Sequence, residues 1–368
     1  MAPISFARGV PAPECLPVEL LADCARAAIL ADGKTVLSYG TGLGYAPLRE
    51  WIGERHGVDP GRVLLTNGSL QGFVYLAQHF FQGKPGGRAF VEAPTYDRPL
   101  LVLRDLGAEI VGLAMDDEGL DPDALEQALA SGSKPAFVYT IPTFQNPSGR
   151  TLSAERRQRI VELAQAHDLF VLEDDPYGLV RFDGEAPPTM FELEGGDHER
   201  VIYSSSFSKT VAPGLRTGYF ILPQQLVKPL ELIAGSTTIS PSLLPEATLV
   251  EFVRAGHFEP NLERVKGLLK ARRDAMLESL DRHFGGTGAS WSHPEGGYFL
   301  WLDFPEGTDA DALLPRATEA GVTFVKGSDF FADGQGRGSA RLAYSFVAVD
   351  EVDEGVSRLA SLVGAAVA

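Results

Sequence analysis

The sequence predicts an α/β protein whose mainly parallel central sheet is flanked by helices, joined to a smaller α+β domain. Three observations carry this expectation. From about residue 60 to 225, short apolar runs alternate with helical patterns. Most of these runs are continuous, as in strands buried on both faces of a parallel sheet. After about residue 225 the alternation gives way to long helical stretches followed by short strands, a different grammar. At 368 residues the chain has room for about two to three domains. The expected division is an N-terminal segment, 1–35, packing with the smaller domain, a large domain, 36–241, and the smaller domain, 242–368.

Taken in order, a helix is expected over 18–31. The strands are RVLLT (62–66), RAFVEA (88–93), AEIVGLA (108–114), PAFVYT (135–140), DLFVLED (168–174) and ERVIYSS (199–205). Between them, 153–167 reads as an amphipathic helix with Ile160, Val161, Leu163 and Ala164 on one face. Asp121-Pro122 reads as an N-cap followed by proline at the first helical position. In the C-terminal part, 242–284 is helical, strands lie near 298–303, 322–325 and 340–345, and a helix closes the chain from about 352.

Composition excludes several classes. A formal net charge of −17 opposes nucleic-acid binding, which needs a concentrated basic surface. Cys15 and Cys24, the two cysteines, are too few for a disulfide framework or a zinc site and are expected to pack as small apolar residues. The seven histidines show no paired ligand spacing, so no metal is expected. MAPISFARGV lacks the basic-then-apolar order of a signal peptide, and no apolar run approaches the ~18 residues that span a bilayer. The expectation is a cytoplasmic protein with reduced thiols and no membrane partner.

Ligands of an open α/β sheet collect beyond the carboxyl ends of its strands, and four polar clusters fall there. Thr66-Asn67-Gly68-Ser69-Leu70 leads into a helix, giving either an anion site or an ordinary cap made by Asn67 or Ser69. Gln145-Asn146-Pro147-Ser148-Gly149 is, by itself, turn chemistry. Asp174-Asp175-Pro176-Tyr177 could hold Mg²⁺, but the phosphate loop that usually accompanies such carboxylates is missing. A carboxylate there could instead pair with a cationic ring nitrogen. In SSSFSKTVAPGLRTGYF (204–220), Ser206, Ser208 and Arg216 suit a phosphate. Lys209 brings an amine able to form a Schiff base once its pKa is lowered. Alone, it would read as a solvated lysine. Gly40-Thr41-Gly42-Leu43-Gly44-Tyr45 imitates a dinucleotide loop, but Tyr45 stands where the third glycine belongs.

Together, FARGVPAP, GYAPLR, TNGSLQG, EAPTYDRP, QNPSG, EDDPY, SFSKTVAPGLRTGY, PEGGYFLW and ARLAYSF resemble, in order and over nearly the whole chain, the class I/II aminotransferases. These are pyridoxal-phosphate enzymes of the aspartate-aminotransferase fold, fold type I. The likeness is to the branch holding 2-aminoadipate, kynurenine and aromatic aminotransferases. The resemblance implies a ping-pong exchange of an amino group between an amino acid and a 2-oxo acid, with pyridoxal 5′-phosphate bound through Lys209. Lys209 would then move the proton between Cα and C4′. Asp174 would keep the pyridine nitrogen protonated, and Asn146 and Tyr177 would hydrogen-bond the ring oxygen. Gly68, Ser69, Leu70, Ser206, Ser208 and Arg216 would form the phosphate cup, with backbone N–H groups serving at Gly68 and Leu70. Tyr96 would stack on the ring. Arg341, beside Asn146, would clamp the α-carboxylate. Tyr39 would reach the phosphate of a neighbouring subunit in a homodimer. Arg8 stands where relatives often have a small residue, and either meets a distal carboxylate of the substrate or points to solvent. The same fold and cofactor also serve lyases, decarboxylases and cyclising enzymes, and an aminotransferase-like domain also serves as a sensor in some transcription regulators.

Overall fold

The computed structural model describes residues 3–132 and 134–367. The first half runs β1 (Ile4–Ser5), α1 (Val18–Val36), α2 (Ala46–His56), β2 (Val63–Thr66), α3 (Ser69–Phe81), β3 (Arg88–Ala93), α4 (Asp97–Asp105), β4 (Glu109–Asp116), β5 (Gly119–Leu120), α5 (Pro122–Ala130) and β6 (Phe137–Thr140). It continues through α6 (Ala154–Ala166), β7 (Phe170–Asp174), α7 (Met190–Glu194), β8 (Val201–Ser206), β9 (Gly218–Ile221) and α8 (Gln224–Thr238). The remainder is α9 (Leu243–Arg254), α10 (Phe258–Phe284), β10 (Ser290–Trp291), β11 (Phe299–Asp303), α11 (Ala310–Glu319), β12 (Val322–Thr323), β13 (Val325–Lys326), β14 (Ser339–Ala343) and α12 (Val349–Val367).

Eight strands form one sheet in the order β2-β9-β8-β7-β6-β3-β4-β5. The ladders β8–β7–β6–β3–β4 are parallel, and β9 and β5 run against their neighbours. Because strand side chains alternate, each strand feeds two cores. Leu64, Phe137, Tyr139, Leu172 and Ile202 enter one, while Val63, Leu65, Val138, Val171 and Val201 enter the other. This two-sided burial is what the continuous apolar runs encode. The first core continues into a four-stranded antiparallel sheet, β10-β11-β14-β13, through Leu300, Leu302 and Leu342.

The N-terminal part meets the segment 242–368 at two places. α1 packs against α9, and Cys24, Ala28 and Val36 share with Ala247 and Val250 the core that also takes Val63 and Val171 of the large sheet. β1 pairs in parallel with β12, and Ala343 N–H donates to Phe6 O at 2.7 Å. α8 was not anticipated, because Pro229 and Gly235 interrupt its pattern.

α3 is seated where it matters for the site. A Cβ at Gly72 would stand 2.1 Å from the Phe220 ring, and one at Gly218 would stand 2.4 Å from Ser69 N. Two glycines thus let the start of α3 lie directly on β9.

Candidate active site

The carboxyl ends of β2, β3, β6, β7 and β8 open onto one cleft of about 580 Å³. On one side, Gly68, Ser69 and Leu70 meet Ser206, Ser208 and Arg216. Gly68 has φ +86°, and a Cβ there would lie 2.2 Å from Arg216 Nη2, so only glycine fits. Arg216 itself adopts a left-handed backbone, φ 47° and ψ 46°, uncommon for any residue but glycine. Its Nη2 donates to Asn67 O at 3.3 Å. Ser206 Oγ donates to Ser208 Oγ at 3.0 Å and accepts from Ser208 N–H at 3.2 Å. Gly68 N–H, expected to face an anion, donates instead to Thr66 O at 2.8 Å. The amides of Ser69 and Leu70, in the first turn of α3, precede the helix's own bonding ladder and are the ones placed for an anion.

Lys209 Nζ reaches into the cleft, donating to Gly9 O at 2.9 Å. Burial, aided by the Arg341 and Arg216 guanidiniums, lowers its pKa to about 8. Tyr298 Oη donates to Lys209 O at 2.9 Å and anchors the lysine backbone. Asp174 accepts from Tyr139 Oη at 2.9 Å on one oxygen and from Ser204 Oγ at 3.1 Å on the other. Burial raises it to about 6, while those two hydroxyls pull it down. Tyr177 is buried in the cleft wall, 5.6 Å from the Tyr298 ring. Tyr96, at the start of α4, lines the opposite stretch, its hydroxyl pushed by burial to about 12.

Arg341 closes the other side. It is 8% exposed, with Nη1 donating to Asn146 Oδ1 and Nη2 to Ala7 O, each at 3.0 Å. Its guanidinium lies 4.2 Å from the Phe299 ring centroid, and Nε is buried with no partner. A Cβ at Gly9 would stand 2.5 Å from the same Phe299 ring. The N-terminal segment is therefore pressed onto β11 beside the arginine.

Two of the expected residues do not line this cleft. Tyr39 is 84% exposed and does not line the cleft of its own chain. Arg8 is exposed, its guanidinium 3.9 Å over the Phe346 ring, while its neighbours Ala7, Gly9 and Val10 line the cleft. Sequence reading missed Tyr139 and Ser204, which hold Asp174, and Glu92 and Gln145 behind Asn146. Each lies inside an apolar or turn motif whose strand register alone decides which side it faces. Asp175, the second acid of EDDPY, serves structure: it accepts from Gly178 N–H at 2.8 Å and Tyr203 Oη at 3.1 Å. Among the described residues no cluster could hold a metal, and no helix is long and apolar enough to cross a membrane.

These residues fit pyridoxal phosphate. A cradle that excludes a Cβ beside an arginine and two serines suits its phosphate, and a buried lysine of lowered pKa suits its aldehyde. The unpartnered Nε of Arg341 suits a carboxylate brought by the substrate. Fold and site thus define a pyridoxal-phosphate-dependent enzyme of amino-acid chemistry.

The comparisons narrow this further. Residues 14–359 match the family described as aminotransferase class I and II. The chain is 36% identical to aromatic-amino-acid aminotransferase 1 of Thermococcus litoralis, over 98% of this chain and 88% of the relative. It is 36% identical to the 2-aminoadipate transaminase of Thermus thermophilus, over 97% of this chain and 90% of that one. Among solved structures it matches a Pyrococcus horikoshii kynurenine aminotransferase in complex with PMP, with a TM-score of 0.94 at 34% identity, over 100% of this chain and 92% of the other. The chain belongs to the class I and II aminotransferases and is a pyridoxal-phosphate-dependent aminotransferase.

Proposed function

We propose that the cleft divides transamination between two anion-holding sides with Lys209 between them. Bound pyridoxal phosphate supplies an aldehyde carbon and an electron-withdrawing ring. The amides of Ser69 and Leu70, the hydroxyls of Ser206 and Ser208, and Arg216 hold its phosphate. Asp174 keeps a proton on the ring nitrogen, held ready by Tyr139 and Ser204. Asn146 and Tyr177 orient the ring oxygen, and Tyr96 covers a ring face. Arg341, steadied by Asn146 and Ala7 O, takes the substrate α-carboxylate on its free Nε edge. Lys209 carries the aldehyde and then moves the proton at the substrate Cα, its pKa near 8 matching the needs of a base at neutral pH. The observation that carries this reading is the position of Lys209 Nζ in a cleft shared by Arg216 and Arg341.

Aromatic donors fit the cleft better than dicarboxylic ones. Ile141, Val325, Phe299 and Phe330 line it, while Arg98, its remaining arginine, lies 3.5 Å from Asp97, and Asp329 adds a second acid. Arg8, on Phe346, lies outside that lining. A homodimer is the assembly this reading favours: Tyr39 is exposed, as are the apolar Leu30, Leu37 and Ile239, side chains that a second copy of the chain would cover, and Tyr39 would then reach the neighbour's phosphate. The buried, unpaired Cys15 and Cys24 suit the cytoplasm.

The test is the visible spectrum of the holoenzyme. A band that requires Lys209 and bleaches with aromatic amino acids, releasing the matching 2-oxo acid, supports the assignment. Lys209→Ala should lower turnover by roughly a thousandfold or more. A band unaffected by that substitution would sink the role of Lys209, and release of a leaving group or of CO₂ would indicate a different reaction.

A further inference from the structure

The end of β3 holds a carboxylate that the chemistry above does not use. Glu92 is 1% exposed. Its Oε1 accepts from Thr140 Oγ1 at 2.5 Å, and its Oε2 accepts from Ile141 N–H at 3.1 Å and Gln145 Nε2 at 2.9 Å. All three donors are uncharged and lie on the stretch leading from β6 to the turn after it. Burying a carboxylate on neutral donors is costly, so the arrangement has to be explained by what the donors carry.

Gln145 is equally buried. Besides Glu92, its Nε2 donates to Pro94 O at 2.8 Å, and its Oε1 accepts from Ser148 N–H at 2.8 Å. The side chain is thus a peg that joins the end of β3 to the turn Gln145–Gly149, which Gly149 N–H closes on Gln145 O at 2.6 Å. The next residue is Asn146, whose Oδ1 is one of the two acceptors fixing Arg341. We propose that Glu92 is a positioning residue: through Gln145 it sets the turn that carries Asn146, and through Asn146 the angle at which Arg341 meets the substrate α-carboxylate. The inference rests on the assignment of Arg341 made above.

Ile141 N–H and Gln145 Nε2 share Oε2 and both need an acceptor there, while Oε1 meets only the Thr140 hydroxyl. A glutamine keeps these bonds by turning its NH₂ to that hydroxyl, which also accepts, whereas a leucine leaves both N–H groups without their acceptor. With leucine the turn would move, taking Asn146 with it. The phosphate cup and Lys209 sit on α3, β8 and the loop to β9, so the anchoring of the cofactor lies outside this link, which meets it only where Asn146 faces the ring oxygen.

The experiment compares single-turnover bleaching by the fastest-reacting amino acid with bleaching by the amine that lacks its α-carboxylate. It uses the holoenzyme of the wild type, Glu92→Leu and Gln145→Met. Wild type should favour the amino acid strongly. Both variants should keep the cofactor band; loss of the ring-oxygen contact of Asn146 slows both substrates alike, while misplacement of Arg341 lowers the preference for the amino acid tenfold or more. A preference that stays at the wild-type level, or equal slowing of both substrates, overturns the role of Glu92. A wild type with no preference overturns the Arg341 assignment, and the inference with it. Should Glu92→Leu fail to fold, Gln145→Met decides by the same ratio.

Discussion

The two anion-holding sides of the cleft are built in opposite ways. The phosphate side is local: Gly68, Ser69 and Leu70 are consecutive, Ser206, Ser208 and Arg216 lie within one loop, and the groups that face an anion are partly backbone amides at the start of α3. The carboxylate side is assembled from distant parts. Arg341 on β14 meets Asn146 at a sequence separation of 195 and Ala7 at a separation of 334. A site made of amides on a rigid sheet tolerates the loss of one side chain. A site hung on a single guanidinium does not.

That contrast can be broken or sharpened by substitution. The largest effect is expected on the carboxylate side, where Arg341→Ala should lower kcat/KM for amino acids on the order of 100-fold, the ~1.5–3 kcal/mol of a charge-assisted hydrogen bond. The amine without a carboxylate should be unaffected. If both substrates slowed alike, the contrast would collapse. On the phosphate side, Gly68→Ala should weaken pyridoxal phosphate binding roughly tenfold. It combines a φ-positive extended backbone, φ 86° and ψ 151°, costing about 1–3 kcal/mol for a residue with a Cβ, with displacement of Arg216. Dialysis of the holoenzyme followed by absorbance would measure it, and unchanged retention would deny the cradle its role.

A subtler comparison sets Glu173 beside Glu92. Both are fully buried and raised to about 7 by burial. Glu173 faces away from the cleft, accepting from Met190 and Phe191 N–H at 2.9 Å, with Arg157 Nη1 3.7 Å away as an ion-pair partner. Its folded pKa lies above the unfolded value, so its contribution to stability is complete below about 4.5 and is lost as pH rises through about 7. Glu173→Gln should therefore flatten the decline of Tm between pH 5 and 8 and leave the amino acid-to-amine ratio untouched. A changed ratio would show that buried carboxylates here act on catalysis generally and not through one link. The smallest effect is expected from Arg8→Ala. An exposed guanidinium on an aromatic ring contributes ~0.5–1 kcal/mol, and rates with acidic and neutral donors should stay within about twofold.

How much of this was legible in the sequence follows the same divide. The strands of the large sheet and the phosphate side could be read because each is a contiguous segment with its own pattern. Asp174 could be read because it ends an apolar strand. Arg341 carries no local signal, and its place came only from the resemblance of ARLAYSF to a family. Glu92 and Gln145 were invisible, since a single acid in RAFVEA and a glutamine in a turn say nothing about each other until the fold joins β3 to the turn after β6. α8 escaped the reading for a related reason: Pro229 and Gly235 break the apolar period that would mark a buried helix face.

The strap formed by the N-terminal segment has a consequence for how the protein is made. Phe6 N–H donates to Thr323 O, Ala343 N–H to Phe6 O, and Ala7 and Gly9 carbonyls receive Arg341 and Lys209. This segment must wait, unpaired, for β12 and β14, which are made long after it. The large sheet can form during synthesis, yet no working cleft exists until residue 343 has emerged, so competence arrives all at once with β14.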